Sequence, residues 1–306
     1  MLLVTTMGNN LVTIVIPCYN HEHYIEQAIR SVLSQDYPSI ELIVIDDGST
    51  DNSRQIIKAL HHKYPGFTYL TQENSGLIAT LKLGLSRTKG EFFCQLASDD
   101  FLPFNSISKR IKRLIARPGS VAVFTDAYGV DGDVVTQRRL TRDKLKRMYA
   151  SDDPITDILK GAPPIFSTGL HRTHALRAID AFDSSTFRYY EDLDTPILLL
   201  TQGSFEYIDE ALFFRRTHAT NVSATTSHIR SEKIKCYQKL LSHSELAPYH
   251  KLLLQLLKRS YLQLGRTVSQ TDSKMSVERD LLNTGWKYAF SDLRLCYYLL
   301  SNKLQK

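Results

Sequence analysis

The chain has 306 residues, of which 42% are hydrophobic and 23% are charged, and its net charge is +6. That length allows one large domain, or one domain with an appendage, and the composition is ordinary for a soluble globular protein. No apolar stretch approaches the roughly 20 residues of a membrane-spanning helix, which argues against a helical membrane protein.

The positive charge is concentrated near the C-terminus. Residues 229–306 contain 14 Lys and Arg against 6 Asp and Glu, whereas residues 1–228 are slightly acidic. A basic helical tail can bind a membrane surface or an anionic substrate, and it can equally be a solvated helical face.

The N-terminal segment lacks the charged-then-apolar pattern of a signal peptide, so we expect a cytoplasmic protein. The four cysteines fit no zinc-binding spacing, and reduced, buried thiols are the favoured interpretation.

Strands and helices are predicted to alternate through the first hundred residues. The predicted strands are Leu11–Pro17, Ile40–Ile45, Phe67–Thr71 and Glu91–Leu96, and helical apolar spacing lies between them. This alternation predicts an α/β fold with a mostly parallel sheet flanked by helices.

Two acidic pairs follow predicted strands, Asp46-Asp47 after the second and Asp99-Asp100 after the fourth. Ligands of such sheets bind outside the carboxyl ends of the strands. Four carboxylates at one edge would repel each other unless a divalent cation bound there, and oxygen ligands suggest Mn²⁺ or Mg²⁺ rather than zinc.

The second half is less regular. Its predicted elements are a strand at Val121–Thr125, a hairpin turn at Asp131–Asp133, a mobile charged loop at Arg138–Asp153, a helix near His171–Ile179, a helix opened by Tyr189–Asp192, a strand at Phe205–Phe214 and helices from Ile229. Acidic residues in a first helical turn are also explained by the helix dipole alone.

Six segments in chain order resemble the motifs of family 2 glycosyltransferases. They are Val15–Asn20 (V-I-P-C-Y-N), Ile43–Asp51 (I-V-I-D-D-G-S-T-D), Asn74–Gly76, Leu96–Asp100, Tyr190–Asp192 and Arg216–Ser223. The resemblance implies the GT-A fold, a Rossmann-like sheet, with a C-terminal helical extension. We therefore expect a GT-A domain over residues 1–228 and a basic helical region over residues 229–306.

The resemblance also implies an inverting, metal-dependent glycosyltransferase. Asp192 would be the catalytic base, with Glu191 as the alternative. Asp100 would ligate Mn²⁺ or Mg²⁺ directly, with Asp99 and His218 as further metal candidates. The residues implied to bind the nucleotide-sugar are Pro17, Tyr19, Asn20, Asp46, Asp47, Asn74, Gly76, Asp99 and Arg216.

Some of these residues also have structural explanations. Arg215 and Arg216 cannot both face the site if they lie in a strand, because neighbours alternate sides. His21-Glu22-His23 is interpreted as the start of a helix rather than as a metal site.

Ala97 stands where many relatives carry a further Asp. It is the one feature that favours an alternative, a non-catalytic nucleotide-sugar-binding or scaffold protein with a degraded site. A nucleotidyltransferase is disfavoured because the first strand is followed by Cys18–His21, which is neither glycine-rich nor basic.

By resemblance, the donor would be a nucleotide-sugar, with a UDP-sugar favoured. The acceptor would be a saccharide or lipid-linked saccharide in bacterial capsule, O-antigen or exopolysaccharide assembly. Aromatic and basic residues between Trp286 and Leu300 fit either a peripheral position on the inner face of the plasma membrane or a homodimer through the C-terminal helices. We expect no nucleic-acid partner.

Overall fold

The computed structural model describes residues 10–132, 134–186, 191–218, 226–270 and 284–285. It divides into two compact units, residues 1–218 and 219–306. Several sequence features fall outside the described residues, namely Asp133, Tyr189, Tyr190, the Asn221–Ser223 part of the last motif, and the aromatic segment Trp286–Leu300 with Cys296.

The first unit carries the predicted alternation. Its strands are β1 (Val12–Cys18), β2 (Ile40–Asp47), β3 (Thr68–Gln72), β4 (Phe92–Gln95), β5 (Ser120–Asp131), β6 (Val134–Arg139), β7 (Gly169–Arg172) and β8 (Ser204–Thr217). Its helices are α1 (Ile25–Leu33), α2 (Ser53–Lys63), α3 (Leu77–Arg87), α4 (Ser106–Ile115), α5 (Arg142–Tyr149), α6 (Pro154–Leu159), α7 (Thr173–Ala178) and α8 (Glu191–Leu200).

In the part of the chain that the structure describes, eight strands form one sheet in the order β3-β2-β1-β4-β7-β5-β6, with β8 also paired to β5. Strands β1 to β4 are parallel, as predicted. Strand β7 runs antiparallel to both β4 and β5, so the second half of the sheet is mixed. The carboxyl ends of β1, β2 and β4 therefore meet at one edge.

The core lies between this sheet and its helices. Every residue of β1 is buried, and α1 buries the apolar stripe that its spacing predicts. Helix α3 lies so close to β1 that a Cβ at Gly84 would stand 2.5 Å from Cγ1 of Val15. Glycine therefore sets the distance between this helix and the sheet.

The prediction of a mobile loop at Arg138–Asp153 is wrong. The segment contains the end of β6 and helix α5, which buries Leu145 and Met148. Its positive charges are used in structure, because Arg139, Arg142 and Lys146 all form ion pairs with Asp209 of β8.

The predicted helix near His171–Ile179 is shorter than expected. Residues 169–172 form β7, which bridges β4 and β5, and only Thr173–Ala178 is helical. Four residues are too few for a strand periodicity to be visible in the sequence.

The second unit contains α9 (Thr226–Leu240), a 3₁₀ turn (Ser244–Tyr249) and α10 (His250–Gln270). Leu240, Leu253 and Leu257 are fully buried in it, and Nε2 of Gln238 donates a 2.9 Å hydrogen bond to the hydroxyl of Tyr261. Among the described residues, no helix combines the length and the apolar character needed to cross a membrane.

Candidate active site

The loops after β1 and β2 are joined by side-chain hydrogen bonds. The backbone N–H of Thr50 donates to Oδ1 of Asn20 at 2.8 Å, and the backbone N–H of Asn20 donates to the hydroxyl of Ser49 at 3.1 Å. Asn20 has a φ of +55°, a left-handed conformation that Asn adopts more readily than most residues. Beside it, Pro17 is buried and Tyr19 is 45% exposed, and contacts from these two residues to a nucleotide remain predictions.

Asp46 at the end of β2 is fully buried and bound by its own chain. Its Oδ2 forms an ion pair with Nε of Arg54 at 2.9 Å, and its Oδ1 accepts from the backbone N–H of Ser49 at 3.2 Å. These contacts close the turn between β2 and α2. A direct contact from Asp46 to a nucleotide remains a prediction.

Asp47 connects β2 to the loop after β3. Its two oxygens accept the backbone N–H groups of Ser75 at 2.8 Å and of Gly76 at 2.9 Å, and Oδ1 also accepts from Gln72 at 2.7 Å. Gly76 is buried, and it precedes the first residue of α3. Asp47 therefore orients the loop in which Asn74 is exposed, the loop that the resemblance assigns to the nucleotide.

Gly48 allows these two loops to touch. It has a φ of +75°, and a Cβ there would stand 2.7 Å from the backbone nitrogen of Asn74. Any other residue would separate the loops after β2 and β3.

His21, Asp99 and His218 form a cluster suited to a metal ion. Each offers one ligand atom, and these atoms all lie within 4.8 Å of one another. Nε2 of His218 lies 2.9 Å from Oδ2 of Asp99. Among the described residues, this is the one group of His, Cys, Asp and Glu with that spacing. Burial lowers the pKa of His21, which favours the neutral imidazole that a metal binds.

Asp100 is not a member of this cluster. Its Oδ1 accepts the backbone N–H of Arg216 at 2.8 Å, and its carboxyl is buried. Burial, together with the neighbouring charge of Asp99, holds the pKa of Asp100 well above its usual range. Asp99, and not Asp100, offers its carboxylate to the cluster in this structure, and direct binding of an ion by Asp100 remains a prediction.

The guanidinium of Arg216 is bound by the protein. Nε donates to the carbonyl of Asp99 at 3.1 Å, Nη2 donates to Oε1 of Gln27 at 2.5 Å, and Nη1 donates to the carbonyl of Gly132. It also stacks 4.8 Å from the ring centre of Tyr24. This side chain therefore ties the loop after β4 to α1 and to the turn between β5 and β6, and a contact from Arg216 to the nucleotide-sugar remains a prediction.

Arg215 and Arg216 both place positive charge near Asp100, and Arg215 also acts on Asp192. The charge of Arg215 opposes the raised pKa of both Asp100 and Asp192. Arg215 and Arg216 are neighbours in β8, so their side chains leave the strand on opposite sides, and which of them faces a bound diphosphate remains a prediction.

Glu191 and Asp192 lie in the first turn of α8 and are partly buried. Oδ1 of Asp192 accepts the backbone N–H of Phe166 at 2.7 Å, and burial raises the pKa of Asp192. Nε2 of Gln95, at the end of β4, lies 3.5 Å from Oε1 of Glu191. The helix dipole favours the ionised carboxylates, whereas burial favours the protonated form.

Comparison with known proteins decides the family. The profile described as Glycosyl transferase family 2 matches residues 13–174. The chain belongs to glycosyl transferase family 2. An uncharacterized glycosyltransferase of Rickettsia prowazekii is 39% identical over 240 residues, which cover 76% of this chain and 70% of that protein.

Other relatives match over shorter stretches. An uncharacterized glycosyltransferase of Haemophilus influenzae is 38% identical over 136 residues, which cover 42% of this chain and 54% of that protein. Glycosyltransferase GlyA of Streptococcus pneumoniae is 32% identical over 112 residues, which cover 37% of this chain. The match spans only 16% of the length of GlyA.

Solved structures share the fold of this family 2 member. Staphylococcus aureus TarS (residues 1–349) in complex with UDP-GlcNAc superposes with a TM-score of 0.67 at 19% identity, covering 95% of this chain and 89% of TarS. The mannosyltransferase PcManGT of Pyrobaculum calidifontis, in complex with GDP-Man and Mn²⁺, superposes with a TM-score of 0.61 at 17% identity, covering 96% and 86%. The predicted GT-A fold is confirmed.

Sequence reasoning did not place His21 among the candidate site residues, whereas the structure brings it close to Asp99 and His218. His21 lies in the loop after β1, where Nδ1 pairs with the hydroxyl of Ser98 at 2.7 Å. Its neighbour His23 is exposed, so the two histidines of the segment have different surroundings. The available signal was its place directly after the Val15–Asn20 motif, at the edge where the acidic pairs were expected.

Proposed function

We propose that this protein is an inverting glycosyltransferase that moves a sugar from a nucleotide diphosphate sugar to an acceptor hydroxyl. The observation that carries this proposal is the pairing of two groups at one end of the sheet. One is the cluster of His21, Asp99 and His218, whose ligand atoms are spaced so that they could hold a metal ion. The other is Asp192, a partly buried carboxyl that accepts the Phe166 N–H and whose pKa is raised by burial.

Asp192 is the proposed catalytic base. An attacking hydroxyl must lose its proton as the new glycosidic bond forms, and a carboxylate with a raised pKa is a better acceptor for it than an ordinary surface aspartate. The Phe166 N–H occupies Oδ1 and leaves Oδ2 to receive the proton. Glu191, 3.5 Å from Gln95, is proposed to support this geometry rather than to replace Asp192.

The leaving group is a nucleoside diphosphate. A divalent cation, Mn²⁺ or Mg²⁺, held by Asp99 and His218 would neutralise its developing charge. Arg215 adds a positive charge near the carboxyls of Asp100 and Asp192. The donor set of one carboxylate and imidazole nitrogens suits such an ion.

The exposed ring of Tyr19 and the exposed Asn74 are proposed to contact the nucleotide. Asp47 contributes by holding the Asn74 loop in place. We favour a UDP-sugar as donor, since TarS, which shares the fold, binds UDP-GlcNAc.

For the acceptor we propose a saccharide or a lipid-linked saccharide in the assembly of a bacterial surface polysaccharide. Chondroitin synthase and hyaluronan synthase of Pasteurella multocida are each 31% identical over 123 residues, which supports a polysaccharide role. The catalytic unit would be residues 1–228. The basic region 229–306 is proposed to bind the anionic inner face of the plasma membrane from the cytoplasm.

A thermal-shift and transfer experiment tests this function. The full chain is heated with UDP, GDP or dTDP, each with and without Mn²⁺, and with CMP as a control, because a ligand that binds only the folded state raises the melting temperature. We expect a metal-dependent rise with one diphosphate, lost in Asp99→Asn. Release of that nucleotide from its sugar should depend on Asp192. A folded protein that responds to no nucleotide would contradict the proposal.

A further inference from the structure

His21, Asp99 and His218 come from three separate loops of the first unit. His21 follows β1, Asp99 follows β4, and His218 follows β8. Atoms bound to one ion at about 2.1 Å stand roughly 3 to 4.2 Å apart, depending on the angle between them. The 2.9 Å distance between Nε2 of His218 and Oδ2 of Asp99 is already close to that spacing. The ligand atoms of all three residues lie within 4.8 Å of one another, so a small side-chain movement would bring them to it.

The orientation of His21 is set from two sides. Its backbone N–H donates to the hydroxyl of Ser53 at 2.9 Å, and its ring nitrogen Nδ1 pairs with the hydroxyl of Ser98 at 2.7 Å. With Nδ1 engaged in this way, Nε2 is the nitrogen left for an ion. Histidines that bind metals typically have their second nitrogen held by such a hydrogen bond.

The surrounding rings keep His21 close to His218. The two imidazoles meet edge to face with their centres 5.7 Å apart, and Tyr24 stacks on His218 with centres 5.0 Å apart. Tyr24 is itself covered by the bound guanidinium of Arg216. The two imidazoles are therefore held near each other by ring packing that does not depend on an ion.

We propose that His21 is a third protein ligand of the divalent cation, completing a site of two imidazoles and one carboxylate. The inference rests on the proposed function in that it assigns the cation to the same site. It goes further by recruiting a residue outside the motifs and by giving the site a metal preference.

The donor set predicts the preference. Imidazole nitrogens favour Mn²⁺ and Co²⁺ over Mg²⁺, which prefers oxygen ligands and retains its water. A site with two imidazoles should therefore discriminate against Mg²⁺ more strongly than a site with one. Removing His21 should lower the affinity for Mn²⁺ more than the affinity for Mg²⁺.

The test measures metal binding directly on the full chain, stripped of metal and without nucleotide. Electron paramagnetic resonance measures the affinity for Mn²⁺, and competition with Mn²⁺ measures the affinity for Mg²⁺. Pulsed electron paramagnetic resonance counts the nitrogens bound directly to Mn²⁺. For His21→Gln we expect at least about a tenfold loss of Mn²⁺ affinity. We also expect a smaller Mn²⁺/Mg²⁺ preference and one bound nitrogen in place of two.

Two further variants keep the test decisive. His23→Gln is the matched control, since the His23 side chain is 80% exposed, and it should bind Mn²⁺ as the wild type does. Ser98→Ala leaves His21 in place but removes the hydroxyl that orients it, so Mn²⁺ affinity should fall severalfold even if His21→Gln folds poorly. Melting temperatures in metal-free buffer report on folding.

Two bound nitrogens and an unchanged metal preference in folded His21→Gln would overturn the inference. The inference would also be overturned if the Mn²⁺ bound to the wild type had a single nitrogen ligand. If that wild type still transferred sugar, the proposed function would stand. Two nitrogens in the wild type and one in His21→Gln, without sugar transfer, would support the inference and count against the proposed function.

Discussion

The backbone N–H of Phe166 donates a 2.7 Å hydrogen bond to Oδ1 of Asp192. Phe166 precedes β7, and Asp192 lies in the first turn of α8, so the bond joins two elements far apart in sequence. It fixes one oxygen of the proposed base. The side chain of Phe166 is held by His171, whose ring stacks on the Phe166 ring with the ring centres 4.2 Å apart.

Asp192→Asn should abolish most sugar transfer while leaving the fold intact. The amide oxygen can still accept the Phe166 N–H, but the amide cannot take a proton from the acceptor. We expect kcat to fall by about 10² to 10⁴. Transfer assays and melting curves check this, with Asp180→Asn as control because Asp180 is an exposed acid paired with Lys82. Substantial activity in Asp192→Asn would remove Asp192 from the role of base.

As the pH is lowered, the activity should be lost at a higher pH than it would be with a base of ordinary aspartate pKa. The base must be ionised to work, and burial raises the pKa of Asp192. As pH falls through that raised pKa, the carboxylate is protonated and kcat/KM declines, so the midpoint should lie above about 4. Rates from pH 4 to 8, with circular dichroism at each pH, test this. A midpoint at or below 4 would contradict it.

His171 should make the fold sensitive to acid. It is fully buried, and this burial lowers its pKa to about 3. Between its ordinary pKa of 6.5 and about 3, the unfolded chain binds a proton that the folded chain does not, so stability falls as pH falls. The slope contributed by this group is at most about 1.4 kcal/mol per pH unit.

His171→Phe keeps a ring on Phe166 and should flatten that acid dependence. Urea unfolding at pH 7, 6, 5 and 4 measures the free energy of unfolding for both proteins. His174→Gln, an exposed position on the neighbouring helix, should behave as the wild type. If His171→Phe loses stability with pH as steeply as the wild type, His171 is not the sensitive group.

Asp47→Ala should destabilise the fold and weaken nucleotide binding together. It removes the acceptor of two backbone N–H groups, those of Ser75 and Gly76. The buried Gly76 donor left unpaired costs about 1–3 kcal/mol, and the Ser75 donor costs less because Ser75 is exposed to water. Urea unfolding and the thermal shift with the nucleotide measure the two effects. Glu73→Ala, an exposed acid in the same loop, is the control. A stable variant with normal nucleotide affinity would show that Asp47 does not organise this loop.

The first half of the fold could be predicted because its signals are local. Strands β1, β2 and β4 are continuous apolar runs, and α1 carries an apolar stripe with a helical period, so the alternation is visible in the chain itself. The place of the acidic pairs at one edge follows from parallel pairing alone. Strand β7, with four residues, and the charged helix α5 have no such signal.

The sequence by itself determined the family, the parallel half of the sheet and the edge at which the acidic residues gather. Tertiary structure decided what each of those residues touches. Asp46 binds Arg54, Arg216 is hydrogen-bonded to neighbouring loops, and the ligand atoms of His21 and Asp99 lie within 4.8 Å of each other. The physical reason is that these contacts join loops brought together by strand pairing. His21 and Ser98 are 77 residues apart in the chain, and only the pairing of β1 with β4 places them in hydrogen-bonding distance.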